Sequence, residues 1–174
     1  MFERSDETGK ATEKMSGREA QEILKRYDRR KASRSKDWFG YRSPMHLLRI
    51  QERHRATLTL LADSGRRDLS ELSIVDIGCG DGNQLRRLVD WGARPGRIAG
   101  IELRADAVER ALGLCRNETD IVCGSAEALP WPANSVDLAF LNTVFSSILD
   151  IEMRVRVVDE LRRVLKPGGA VCWY

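Results

Sequence analysis

No apolar run in this chain of 174 residues approaches the roughly 20 residues of a membrane span, so no helical span is expected. The first ten residues, MFERSDETGK, are charged from the third onward and do not read as a secretory signal. Cysteine is sparse, and Cys79, Cys115, Cys123 and Cys172 form no C-x-x-C pair. No histidine stands at ligand spacing from them either. A disulfide framework and a zinc site are therefore both disfavoured, no metal is expected, and reduced thiols in a cytoplasmic setting are the plain reading. Histidine is scarcer still: His46 and His54 are the chain's two. No internal repeat is present.

What is there begins with an uneven charge. Residues 1–36 carry a balance of +4 and the remainder −1, so the basic excess sits in KRYDRRKASRSK (25–36). That run reads either as a solvated helix face or as a contact for an anionic partner. Residues 1–15 lack apolar periodicity and are expected to be disordered. Ser16 and Glu19 form a capping-box pattern, and Ala20, Ile23, Leu24 and Tyr27 follow at helical spacing, predicting a helix to about Arg30. The aromatic stretch DWFGYRSP leads to a second helix, with Ser43 as cap and Pro44 in the first turn. Its face of Leu47, Ile50, His54, Leu58 and Leu61 should end near Gly65, and His54 is expected to pack in the core. Residues 16–66 thus read as a helical cover over a domain spanning 67–174.

From residue 73 short apolar runs alternate with amphipathic helices. SIVDI, RIAGIE, DIVCG, VDLAFLN and AVCWY read as strands, and NQLRRLVDW, ADAVERALGLC and IEMRVRVVDELRRVL as helices. In the last helix Met153, Leu161, Val164 and Leu165 are placed on the buried side, and Lys166-Pro167-Gly168-Gly169 ends it. Strands without polar alternation, separated by helices, predict an α/β fold: a Rossmann-like, doubly wound, mostly parallel sheet with helices on both faces. Ligands in such sheets bind beyond the carboxyl ends of the strands, where the strand order reverses.

The first strand runs into IVDIGCGDGN (74–83), in which Gly78, Gly80 and Gly82 alternate. Glycine removes Cβ, and the following helix aims its N–H groups and positive dipole end at the same spot. The Walker string G-x-x-x-x-G-K-[ST] is absent. A dinucleotide loop, G-x-G-x-x-G, wants its third glycine where Asn83 stands. That weighs against NAD without removing it.

Asp76 to Gly82, D-x-G-x-G-x-G, resembles the first motif of class I S-adenosylmethionine-dependent methyltransferases, of the type 11-like group. Glu102, at the end of the second strand, stands where an acidic residue can accept from both ribose hydroxyls. GSAEALPWPANSVDLAF (124–140) and ELRRVLKPGGAVCWY (160–174) are similar to the family's third-strand exit and fifth-strand entry. The resemblance covers about residues 72–174 and implies S-adenosyl-L-methionine as cofactor. It implies that Gly78, Cys79, Gly80 and Gly82 form the loop against the methionyl and ribose portions, with Asp76 toward the methionyl amine. Glu102 holds the ribose, Leu103 packs on the adenine, and Ala126 offers its N–H to the ring. Asn142 lies beside the methionine moiety and opens toward the acceptor. Where this chain has Ser125 the family often has Asp, so weaker cofactor binding is expected. The family usually has seven strands. This chain stops within the fifth, so the last two are expected to be missing and the fifth strand to form an unpaired edge prone to self-association.

Methyl transfer is an in-line displacement in which the protein mainly aligns the reactants. Trp38, Phe39 and Tyr41 are candidates to steady a sulfonium through their ring faces, or simply to pack. His46 is the candidate base. The stretches RSPMHLLRIQER (42–53), WGARPGRIAGIE (91–102) and NTVFSSILD (142–150) look like a bacterial subgroup acting on small molecules or in glycan pathways. The fourth strand exits into LNTVF rather than [DNS]-P-P-[YFW], and no Pro-Cys pair supplies a C5-attacking thiolate. A nucleic-acid acceptor is therefore disfavoured and a small organic acceptor favoured. A non-catalytic cofactor-binding module and an NAD-dependent oxidoreductase remain as alternatives.

Overall fold

The structure, a computed structural model, describes residues 17–33 and 43–174. The expected tail at 1–15, the Ser16 cap and the aromatics Trp38, Phe39 and Tyr41 lie outside the described residues. The chain forms two compact units, one of residues 25–68 and one joining the stretch up to Leu24 with Leu69–Tyr174.

Helix α1 (Arg18–Ser33) runs three residues past the expected end. It buries Ala20 and Ile23 at its start. The Leu149 N–H donates to Glu19 Oε1 over 2.8 Å, fixing that start to the loop that follows the fourth strand. In the 25–68 unit, helix α2 (Pro44–Asp63) opens as expected. Ser43 has extended φ and ψ, its Oγ accepts from the His46 N–H, and Pro44 occupies the first turn. Gly65, with φ of +76°, follows its end. Of the expected apolar face only Leu61 is fully buried; Leu58 is exposed and His54 is half-buried, not the core residue expected.

The larger unit holds β1 (Ile74–Ile77), α3 (Asn83–Asp90), β2 (Ile98–Glu102), α4 (Ala105–Leu114), β3 (Asp120–Cys123), β4 (Val136–Leu141), α5 (Ile151–Val164) and β5 (Leu165–Trp173). A single 3-10 turn, Pro95–Arg97, leads into β2. All pairings are parallel, in the order β3-β2-β1-β4-β5. Every residue of β1 and β2 is buried, the signature of strands covered on both faces. The right-handed rule for parallel crossovers puts α3 and α4 on one face and α5 on the other, because the chain moves outward from β1 in opposite directions.

Helix α5 is capped by Asp150, whose carboxylate oxygens accept from the Glu152 and Met153 N–H groups at 3.1 and 3.2 Å. It buries Met153, Val157, Leu161 and Val164, one residue per turn. Leu165, expected on that face, instead begins β5, which starts five residues earlier than the sequence suggests. Val136 pairs with Leu165 and Leu138 with Ala170, so the Lys-Pro-Gly-Gly stretch is carried as an irregularity inside the strand. The Lys166 ammonium donates to Asp137 Oδ2 at 2.8 Å, and the Ser73 N–H donates to the same oxygen. One carboxylate thereby ties the start of β4 to the approaches of β1 and β5. β5 is an edge strand with Val171 and Trp173 exposed.

Candidate functional site

The strand order reverses between β1 and β4, and both exits open at the same end of the sheet. Gly78, Gly80 and Gly82 all adopt positive φ, at +71°, +57° and +76°. A chain of L-residues with side chains could not take three such steps cheaply, which is why this bend alternates glycine.

The bend is fastened to β2 at three points. The Gly78 and Cys79 N–H groups both donate to the Ile101 carbonyl, at 2.8 and 3.1 Å. The Gly80 N–H donates to Glu102 Oε2 at 2.9 Å. The other oxygen, Oε1, accepts from the Arg104 N–H at 3.0 Å and lies 3.4 Å from the Arg104 guanidinium. The Glu102 side chain is only 10% exposed. Gly80 and Glu102, both expected from the sequence to hold the cofactor, are in direct contact in the structure. Arg104, which steadies the carboxylate, was not singled out. Each carboxylate oxygen has two acceptor sites, so one on each remains for a ligand hydroxyl.

The three glycines differ in surroundings. A Cβ at Gly80 meets nothing within 4 Å, so this main chain is open to a ligand. At Gly78 the same construction lies 2.8 Å from Val144 Cγ2; a valine from the loop after β4 stands over it. At Gly82 the space is filled by Cys115 Sγ and Ala111 of the α4 region. Gly82 is buried and caps α3, so its bareness serves helix packing rather than the crevice. Cys79 also turns inward. Its Sγ lies 2.8 Å from where a Cβ on Gly100 would stand, and burial, followed by the Asp76 and Glu102 carboxylates, pushes its thiol well above the ordinary value.

Asp76, within β1, is 2% exposed. Leu103, Ser125, Ala126 and Asn142 are half-buried at the exits of β2, β3 and β4. The Ser125 hydroxyl is engaged: it donates to Glu127 Oε2 and accepts from the Glu127 N–H, both at 3.3 Å. The Arg156 guanidinium donates to the other Glu127 oxygen at 2.6 Å. A carboxylate thus stands beside Ser125 after all, two residues later than the resemblance puts it. Only its sequence neighbourhood hinted at it. Thr143, just past Asn142, has φ of +61°, a strained value for a β-branched residue, and its carbonyl accepts from the Ser146 and Ser147 hydroxyls. His46 belongs to the 25–68 unit.

An open glycine main chain beside a largely buried carboxylate with spare acceptor sites fits an adenosyl group, since two hydroxyls can meet two oxygens. Among the described residues no three His, Cys, Asp or Glu side chains cluster as a metal site, and no helix is long and apolar enough to cross a membrane.

Residues 75–173 match the family described as Methyltransferase domain. The chain belongs to the class I S-adenosylmethionine-dependent methyltransferase family. Among its relatives is a trans-aconitate 2-methyltransferase of an Azoarcus species, 32% identical over 121 residues, which cover 69% of this chain and 44% of that protein. A tRNA N(3)-cytidine methyltransferase of Gallus gallus is 29% identical over 106 residues, covering 56% of this chain and 28% of the relative. The crystal structure of an S-adenosylmethionine-dependent methyltransferase from Mesorhizobium loti superposes with a TM-score of 0.53 at 25% identity, covering 61% of this chain and 47% of that one. The chain spans less than half the length of each of these three proteins.

Proposed function

We propose that the crevice beyond β1, β2 and β4 binds S-adenosylmethionine and that the protein transfers its methyl group to a small-molecule or glycan-pathway acceptor. The observation that carries this reading is the Gly80–Glu102 bond, which sets an open main chain and a nearly buried carboxylate side by side. Glu102 accepts the ribose hydroxyls, Gly80 lets the adenosyl portion lie against the backbone, and Asp76 faces the methionyl amine. Gly78 with Val144 walls the methionyl end. Leu103 and Ala126 flank the adenine, and Asn142 opens toward the acceptor. Glu127 takes the role that the missing Asp at 125 leaves vacant, as acceptor for the adenine amino group. The bound sulfonium supplies an electrophilic methyl carbon. These residues orient it and limit water, which favours a displacement whose charge disappears as the bond forms. His46 is the candidate base for an acceptor that must lose a proton, and His46→Ala tests it through a loss of turnover with cofactor affinity kept.

The named acceptors of the relatives include both a small acid and a tRNA. The β4 exit LNTVF and the confinement of the basic excess to residues 1–36 support the small acceptor. Four free cysteines support a reducing, cytoplasmic setting. For partners beyond the acceptor, the exposed β5 edge supports self-association. Sedimentation velocity tests it: Val171→Lys is expected to shift the chain toward monomer, and an unchanged distribution removes the edge from the account.

The test of the central reading is calorimetry with S-adenosylhomocysteine and NAD side by side. Saturable binding of the first and none of the second is expected. The reverse pattern moves the chain to the oxidoreductases.

A further inference from the structure

A second cavity lies away from the crevice, between α3, the end of α4 and the turn into β3, with a volume of about 240 Å³. Leu85, Val89 and Leu114 give it an apolar side. Thr119 lines it too, is 5% exposed, and its Oγ1 is buried with no hydrogen-bond partner among the described residues. A buried hydroxyl left unsatisfied costs about 1–3 kcal/mol, so its presence in a cavity wall asks for an acceptor. The remaining polar wall is largely cationic. Arg116 is exposed at the cavity, and no ion pair to it is found among the described residues. Arg86 adds positive field, although its guanidinium already donates to the Asp81 carbonyl and Asn83 Oδ1.

We propose that this cavity is a second binding site, for a small monocarboxylic acid with a short aliphatic tail. A carboxylate has two acceptor oxygens, and the site offers two uncommitted donors, the Thr119 hydroxyl and the Arg116 guanidinium. The apolar side accepts the tail. The volume corresponds to about eight waters at bulk density and falls below the roughly 300–1,000 Å³ of drug-sized sites, which sets a small ligand. Asp90 at the wall disfavours a dianion. Cys115, also in the wall, does not oppose the charge, because burial pushes its thiol up and keeps it neutral, against a smaller pull from Arg86. Its S–H donates to the Gly82 carbonyl at 3.7 Å, so the Gly82 amide reports on occupancy.

The experiment is a titration of the isotopically labelled full chain with pentanoate, followed by amide resonances, with pentan-1-ol and inorganic phosphate as the uncharged and tail-less counterparts. Saturable shifts at Thr119, Arg116 and Gly82 are expected with pentanoate, and binding weaker by about tenfold with either counterpart. Thr119→Val and Arg116→Gln should each weaken pentanoate by about tenfold while S-adenosylhomocysteine affinity stays unchanged. Thr119→Val removes an unsatisfied buried group and should fold at least as well as the parent; Arg116 is exposed, so its variant folds regardless. Pentanoate that does not saturate, phosphate or pentanol that binds equally well, or variants that bind like the parent each overturn the proposal. None of these results bears on the S-adenosylmethionine reading, which has its own ligand arm.

Discussion

Single residues in this chain carry more than one duty, and Glu102 is the plainest case. It holds the Gly80 N–H and the Arg104 N–H while remaining able to accept from a ligand. Glu102→Ala is therefore expected to weaken S-adenosylhomocysteine binding by about 1–3 kcal/mol and to loosen the loop as well. Glu102→Gln separates the two effects, since an amide oxygen still accepts from Gly80 but only one oxygen is left. Calorimetry and urea melts of both variants check this, and an unchanged affinity in Glu102→Ala removes the ribose assignment. Gly82 makes a different prediction. A methyl there is strained by φ of +76° and collides with Cys115, so Gly82→Ala should cost about 2–4 kcal/mol in denaturant unfolding. Adding Cys115→Ala should recover the collision but not the strain, leaving about 1–2 kcal/mol. Equal losses in the single and double variants refute the packing role. The motif's letters marked these glycines as special. They could not tell the open Gly80 from the packed Gly82, because that depends on what α4 brings against them from some thirty residues further on.

At the scale of elements, the Glu160–Arg163 pair anchors helix α5 to the β3–β4 connection, alongside the Arg156–Glu127 bond. Glu160 accepts from Arg163 at 2.7 Å on each oxygen and from the Leu129 N–H at 2.7 Å, while Arg163 donates to the Trp131 and Leu129 carbonyls. Burial pushes the Glu160 carboxyl up, but the bonds from Arg163 and Leu129 outweigh it and hold it below its ordinary value. A lowered carboxylate stabilises fully above its unfolded value and loses that contribution as pH falls through the folded one. Stability should thus drop on acidification below about pH 4.5. Glu160→Gln should be less stable by about 1 kcal/mol at neutral pH, since the pair is partly exposed, and should show a shallower acid slope. Parallel acid slopes for parent and variant refute the assignment. The elements themselves were well legible, since strand and helix cores from β1 to α5 fall within a residue or two of their apolar patterns. The exception is β5. Lys-Pro-Gly-Gly reads as a helix stop, and it does end α5, but pairing with Val136 draws Leu165 into the sheet before the turn residues. Such register belongs to the partner strand and leaves no local mark.

On the whole molecule, alternation of apolar runs and helices made the doubly wound sheet readable, and the handedness of crossovers made the crevice's place readable with it. What escaped were long-range tethers: Val144 over Gly78 and the clasp of Ser73 and Lys166 on Asp137. Each joins groups whose spacing means nothing until the sheet is assembled. The same dependence predicts that ligand binding and global unfolding are linked. S-adenosylhomocysteine at a hundredfold excess over its dissociation constant should raise unfolding free energy by about 2.7 kcal/mol, read as a shift in thermal midpoint. No shift at saturation contradicts a site built from β1, β2 and β4 together.

The tether between Gly80 and Glu102 has one more implication. A glutamate at liberty surrenders about 1.5–2 kcal/mol of rotamer freedom when a guest immobilises it. Here folding has already frozen that side chain against the backbone, so a nucleoside held there as proposed would meet a rigid receptor and be spared much of this entropic toll.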